Sequence, residues 1–247
     1  MGFQTVFKRY ELKYLLTDRQ KQSVLAAMAE YMQPDQYGKT TIRNLYYDTD
    51  SYRLIRQSIE KPAYKEKLRV RSYRQVAAGD SVFVELKKKY GGIVYKRRIS
   101  LPSDAATTWL SGDSHCGQQT QIAREIDYFV ELYGTLRPVI FLSYERQAFY
   151  AIDGSDFRVT FDNKILCRQE DLSLESPVYG TDILPEDMTL MEIKCSGGIP
   201  MWMARVLSQE KIYKTSFSKY GTAYKTLIFP QTHQTNSHQT LEVITHA

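Results

Sequence analysis

Four cations at two-residue spacing, Lys65, Lys67, Arg69 and Arg71, stand in the stretch Tyr64-Lys65-Glu66-Lys67-Leu68-Arg69-Val70-Arg71. Successive side chains of an extended strand point to opposite faces, so these four share one face and Tyr64, Glu66, Leu68 and Val70 share the other. A row of like charges repels itself, and its alignment makes physical sense opposite something anionic. A solvent-facing edge decorated with Lys and Arg against aggregation gives the same row, so what decides is whether the pattern recurs. It does recur, with a carboxylate added: Glu11-Leu12-Lys13, Glu85-Leu86-Lys87 and Glu192-Ile193-Lys194 each place Glu and Lys on one strand face. A carboxylate beside an excess of cations is the combination that a divalent metal plus polyphosphate needs.

The elements that must position these residues are mostly strands. Alternation predicts strands over 7–14, 42–47, 64–71, 82–89, 93–101, 139–152, 157–162 and 189–194. Gly91-Gly92 and Asp153-Gly154 supply hairpin turns. Helices are expected from the Thr17/Gln20 capping-box spacing through Tyr31, with Pro34 closing it. Others are expected from an Asp48-Thr49-Asp50-Ser51 cap to about Ser58, over 103–110, over 118–133, from Pro200 to about Gln209, and in a short piece after Phe217-Ser218-Lys219-Tyr220 to about Leu227. Nearly every strand carries Lys, Arg or Glu on one face: Val94, Lys96 and Arg98 align, as do Ile140, Leu142, Tyr144 and Arg146, and Arg158, Thr160 and Asp162. Such a set closes most naturally into an antiparallel β-barrel of about eight strands with a charged lumen and flanking helices, an α+β fold. The alternative is an open sheet whose charged faces meet water. In an empty lumen the cations are expected to repel one another, a repulsion that a bound polyanion relieves.

At 247 residues the chain holds enough apolar sequence for one generous domain, assigned to 1–229, followed by a polar Gln/Thr/His-rich tail over 230–247 expected to fray. A net charge of +5 argues against a protein that coats nucleic acid, yet six Lys/Arg and one Glu crowd the span from Glu85 to Arg98. Cys116, Cys167 and Cys195 form no CxxC pair, which fits a reducing interior and excludes a disulfide framework or structural zinc. No apolar run approaches a membrane span and Met1 to Tyr10 lacks a signal-peptide core, so cytoplasmic residence is expected. Three of the four histidines lie in the tail, leaving His115 in the body, so histidine catalysis is not expected.

The ordered series Glu11-x-Lys13-Tyr14, Tyr46-Tyr47-Asp48, Lys67-x-Arg69-x-Arg71, Glu85-x-Lys87, Lys96-Arg97-Arg98, Tyr144-x-Arg146-x-Ala148-Phe149, Arg158-x-Thr160-x-Asp162, Glu192-x-Lys194 and Phe217-Ser218-Lys219-Tyr220 resembles the VTC domain, the polyphosphate polymerase branch of the triphosphate tunnel metalloenzymes, which are CYTH-like. The resemblance runs from about Phe7 to Leu227. It implies a strand-walled tunnel binding ATP, triphosphate and polyphosphate, and transfer of the terminal phosphoryl of ATP to a growing chain with manganese or magnesium. It assigns phosphate-binding roles to Lys13, Arg69, Arg71, Lys87, Lys96, Arg146, Arg158 and Lys219, substrate contacts to Tyr144, Lys194 and Ser218, and the metal to Glu192, with Glu11 or Glu85 as further ligands or orienters of lysine.

One departure is informative. Position 9 is Arg, so the chain has ExK where the wider tunnel superfamily has ExExK, and a potential metal ligand becomes a cation. This favours a phosphate-rich, one-metal site. Tyr46, Tyr47 and Tyr144 offer rings for adenine, with core packing the expected role for most tyrosines. Two other functions fit the same cations: hydrolysis of triphosphate or polyphosphate, and plain polyanion binding without metal or turnover. Specific nucleic-acid recognition is not expected, since no module interleaves exposed aromatics with the basic residues.

Overall fold

Alternation becomes structure wherever one strand face packs and the other carries charge. In chain order the elements are β1 (Tyr10–Thr17), α1 (Asp18–Met28), β2 (Met32–Asp48), α2 (Arg53–Ile59), β3 (Tyr64–Ser72), β4 (Ser81–Tyr90), β5 (Ile93–Pro102), α3 (Ser103–Leu110), α4 (Gln121–Tyr133), β6 (Arg137–Ala151), β7 (Arg158–Arg168), β8 (Thr181–Asp182), β9 (Met188–Cys195), α5 (Met201–Gln209), β10 (Lys214–Thr215) and α6 (Lys219–Ala223), then a π-helical turn over Tyr224–Ile228. The computed structural model describes residues 10–91 and 93–231. The expected strand start at Phe7, the substitution at Arg9, Gly92 and the tail beyond 231 lie outside the described residues.

The strands form one antiparallel sheet in the order β10-β1-β9-β7-β6-β2-β3-β4-β5, with β8 paired to β7. Eight strands are long; β8 and β10 have two residues each, too short for alternation to announce them. Among the described residues no ladder joins the edge strands β5 and β10, so the expected closed barrel is a sheet with an open seam. It curls far enough for strands that are not neighbours to meet. Lys87 on β4 reaches Glu11 on β1 at 2.7 Å, and Lys67 on β3 reaches the Ser218 hydroxyl at 3.1 Å.

β7 runs on to Arg168, six residues past its expected end, and two boundaries near Pro34 also differ from the sequence reading. α1 keeps its capping box, in which Thr17 Oγ1 accepts from the Gln20 N–H and Gln20 Oε1 from the Thr17 N–H, but it ends at Met28. β2 then begins at Met32 and takes in Pro34, which sits where its pairing with β6 shifts register between Pro34 and Lys39. Proline lacks the N–H that a regular ladder needs, so an irregularity is where a strand accommodates it.

Helices cover the convex face. α3 and α4 pack Trp109, Ile126 and Phe129 on Leu68, Val84, Leu86 and Ile99, and α1 and α5 pack Val24 and Met203 on Leu16, Val159 and Ile193. Arg97, which alternates away from the inner face, pairs with Glu125 of α4 at 3.0 Å. α6 lies on the concave side, where Tyr220, Ala223 and Tyr224 join Ile55 and the inner-face residues Ile42, Tyr46, Ile140 and Leu142 in one apolar cluster. No helix among the described residues is long and apolar enough to cross a membrane.

Asp48 ties α2 to α6. It is fully buried and accepts hydrogen bonds from the N–H groups of Thr49, Leu54 and Ile55 and from the Tyr220 hydroxyl, at 2.8–3.0 Å. Asp48→Asn turns an NH2 group toward one of these donors, and the expected loss is about 1–3 kcal/mol. A lower urea midpoint at unchanged slope is the measurement that checks it.

Candidate phosphate site on the concave face

The inner faces of β3, β4 and β5 converge on Glu85, whose side chain is 1% exposed. Arg69 donates to it through Nε at 2.9 Å and Nη2 at 2.7 Å, Lys96 lies at 2.8 Å, Arg98 Nε at 2.6 Å and Arg71 at 3.8 Å. Burial alone raises a carboxyl pKa, but Arg69, Arg71, Lys96 and Arg98 together hold Glu85 well below the usual range. The arginines are oriented from behind: Arg69 donates to the Tyr46 hydroxyl, and Arg71 to Asn44 Oδ1 and to the Tyr144 hydroxyl, at 2.9–3.0 Å.

A second cluster lies on β6, β7, β9 and α6. Arg146 grips buried Asp162 with two hydrogen bonds of 2.6 and 2.7 Å. Lys219, brought in by α6, reaches Asp162 at 2.6 Å and Glu192 at 3.2 Å. Glu192 also has Lys194 at 3.4 Å, Arg146 at 3.5 Å and Lys13 at 3.6 Å. Burial works against its charge, yet Lys219, Lys13, Lys194 and Arg146 hold its carboxyl well below the ordinary value. Tyr144 stands between the clusters, its ring beneath Arg146 at 5.0 Å and Lys219 at 4.6 Å. Burial pushes its phenol up, and the surrounding Arg146, Arg71 and Lys219 outweigh that and pull it down.

Where the walls face each other the compensation thins. Glu11 is held at about 2, since Lys87 and Lys194 overcome the effect of burial. Lys13 donates to the Phe217 carbonyl at 2.9 Å, and its pKa falls to about 8 through burial, with Lys219 and Lys87 adding to it against Glu192. Lys67 has no carboxylate within ion-pair distance among the described residues; its pKa falls to about 7 through burial and then the charges of Lys13, Lys87, Lys65 and Arg69. A bound polyanion restores the charged form of both lysines. Triphosphate binding at about pH 8 is therefore expected to take up protons, and the uptake should vanish below about pH 6, where both already carry charge. Binding heats in buffers of different ionisation enthalpy measure this; no exchange at pH 8 contradicts it.

The structure brings Lys13, Arg69, Arg71, Lys87, Lys96, Arg146, Lys194, Lys219, Tyr144, Ser218 and Glu192 to the concave side. Arg158 is exposed at the rim, opposite Lys194 in register. Much of the repulsion expected among the empty lumen's cations is offset: Glu85, Asp162, Glu192 and Glu11 compensate most of them, because desolvated cations without counter-charge are costly. Tyr46 and Tyr47 are buried in the core, with no free face for adenine. Asp162, Lys67 and Arg98 belong to the site although the sequence reading gave them no role. Each was visible in its row, Lys67 and Arg98 two residues from an assigned cation and Asp162 four residues from Arg158.

Metal ligation by this donor set is restricted. Among the described residues no group of three His, Cys, Asp or Glu side chains could cage an ion. Glu192, shared by Lys13, Arg146, Lys194 and Lys219, would hold an ion only as a single protein ligand, the other oxygens coming from phosphate and water, the usual habit of magnesium.

The family model for the VTC domain matches residues 8–228. No curated protein matches the chain. A solved structure described as a "putative adenylate cyclase" from Bacillus halodurans aligns with a TM-score of 0.53 at 15% identity, covering 87% of this chain and 96% of that one, which is a likeness of fold. A second structure of the same description, from Vibrio parahaemolyticus, aligns with a TM-score of 0.46 at 10% identity, covering 88% and 98%.

Proposed function

Because the chain belongs to the VTC domain family, matched over residues 8–228, we propose that it is a polyphosphate polymerase-type phosphotransferase, moving the terminal phosphoryl of ATP onto a polyphosphate chain on its cationic concave face. The observation that carries this reading is the state of the carboxylates. Glu85 and Glu192 are held well below the ordinary range and Glu11 at about 2. A hydrolase activates water best with a base poised near neutrality; Lys67 and Lys13 come nearest to that in the empty site, at about 7 and about 8, and a bound polyanion returns both to the charged form. A polyphosphate end is already anionic and needs no base, so a site whose carboxylates all serve cations suits a phosphate nucleophile better than water.

Phosphoryl transfer asks little covalent work of side chains; rate comes from aligning donor and acceptor and stabilising charge on the transferring group. Arg69, Arg71 and Lys96 on one wall and Lys13, Arg146, Lys194 and Lys219 on the other supply that charge, and the arginines offer planar forks for phosphate oxygens. Thr160 Oγ1, buried without a protein partner and opposite Glu192 in register, adds a neutral donor. Lys67 and Lys87, on the same wall as Arg69 and facing Glu11 and Ser218, extend its row of cations. A divalent metal, manganese or magnesium, on Glu192 supplies further neutralisation of phosphate charge when bound. Cys116, Cys167 and Cys195, all buried and none in a disulfide, support a cytoplasmic location.

Incubation with ATP and manganese, followed by separation of long-chain polyphosphate from orthophosphate, tests the reading. Polymer is the expected product. Orthophosphate alone makes the protein a polyphosphatase or triphosphatase; salt-sensitive binding without turnover, indifferent to metal, makes it a polyanion-binding module.

A further inference from the structure

On the convex side of the sheet, away from the proposed catalytic face, one arginine has no protein partner. Arg43 lies on β2 between inner-facing Ile42 and Asn44, so its own side chain takes the outer face. It is 8% exposed, makes no hydrogen bond or ion pair among the described residues, and its Nε is buried with no partner. Its register partner on β6, Ser143, is fully buried, and the Ser143 hydroxyl is likewise unpaired.

The carboxylates on this side are engaged elsewhere: Asp171 lies 3.6 Å from Arg168. The charged group that bears on Arg43 is Arg168, another cation, and this and burial push the Arg43 guanidinium pKa down. Arg168 is itself spent: it donates to the carbonyls of Asp171, Ser173, Pro177 and Tyr179 and lies between the Phe141 ring at 3.7 Å and the Tyr179 ring at 4.2 Å. Glu145, next along the same face, is taken by Lys39 at 2.5 Å and Lys164 at 3.1 Å. Ser72, the register partner of Arg43 on β3, gives its hydroxyl to the Arg74 carbonyl at 2.8 Å.

A buried cation beside a second cation, with an unpaired hydroxyl across the ladder and no carboxylate paired to it among the described residues, is costly unless an anion completes it. The geometry points to a second oxyanion site, outside the concave face, in which Arg43 and Ser143 bind one phosphate-class group: Arg43 supplies charge and N–H donors, Ser143 a neutral donor. The remaining exposure at Arg43 gives the group access from solvent. Free orthophosphate and one phosphate of a longer chain share this chemistry.

The test reads Arg43 itself. In 15N-labelled full-length protein, the Arg43 Nε–H resonance, assigned by its absence in Arg43→Met, is followed through titrations with orthophosphate and with triphosphate, against chloride at equal ionic strength. A saturable shift with orthophosphate supports a free-phosphate site, and one confined to triphosphate supports a site for a chain phosphate. Ser143→Ala should weaken half-saturation about fivefold. Arg43→Met keeps the apolar stem, so in phosphate-free buffer it should melt no lower than the parent. No shift with either anion, or an equal shift with chloride, overturns the proposal. Because the signal belongs to Arg43, that failure is separate from any failure on the concave face.

Discussion

Glu192→Gln should destabilise the ligand-free protein by about 3–5 kcal/mol, the usual consequence of removing one partner from a buried charge network. Four cations lie within 3.2–3.6 Å of this carboxylate, and glutamine keeps the shape while leaving Asp162 alone to compensate Arg146 and Lys219. Turnover with metal should fall about a hundredfold or more, the equivalent of several kcal/mol of transition-state stabilisation. Metal-free binding of triphosphate should move the other way and tighten, since a charge that repels phosphate is gone. Calorimetry of triphosphate binding without metal, beside steady-state rates with manganese, reads both. Undiminished turnover removes Glu192 from the site. Weaker metal-free binding would mean that its main work is to hold Lys13, Lys194 and Lys219 in place.

The strands were legible because their two faces meet different surroundings: Leu68 and Val70 go to the core under α3 and α4 while Lys67 and Arg69 go to the concave side. The first part of β2 was not legible, because Gln33, Pro34, Tyr37 and Gly38 lie exposed and impose no alternation. The rows of cations could be read from spacing, but their pairings could not. Lys87 and Glu11 are 76 residues apart, and Lys67 and Ser218 are 151 apart; both contacts exist through the curl of the sheet and the entry of α6. Nor does spacing report that Glu85 would be shared among Arg69, Arg71, Lys96 and Arg98. Because of that sharing, Arg69→Ala weakens phosphate binding and also withdraws one partner from a buried carboxylate, so some loss of stability accompanies the loss of affinity.

Anions should raise the melting temperature in the order phosphate, pyrophosphate, triphosphate. Cations on the concave side outnumber the carboxylates that compensate them, and Lys67 has no carboxylate beside it to offset the charges of Lys13, Lys87, Lys65 and Arg69. Each added phosphoryl group reaches further cations along the opposed walls. A ligand bound only by the folded state stabilises it by about 4 kcal/mol at a thousandfold excess over Kd, on the order of 10 °C for a domain of this size. An open basic surface gives a small response that moderate salt removes, because exposed charges are screened within about 8–10 Å. Lys67→Met separates the contributions: it removes a desolvated charge from the empty site, so the ligand-free protein should melt higher, while the increment from triphosphate shrinks. A flat response across the three anions at equal ionic strength means that the opposed walls enclose no polyphosphate site, and the phosphotransferase reading falls with it.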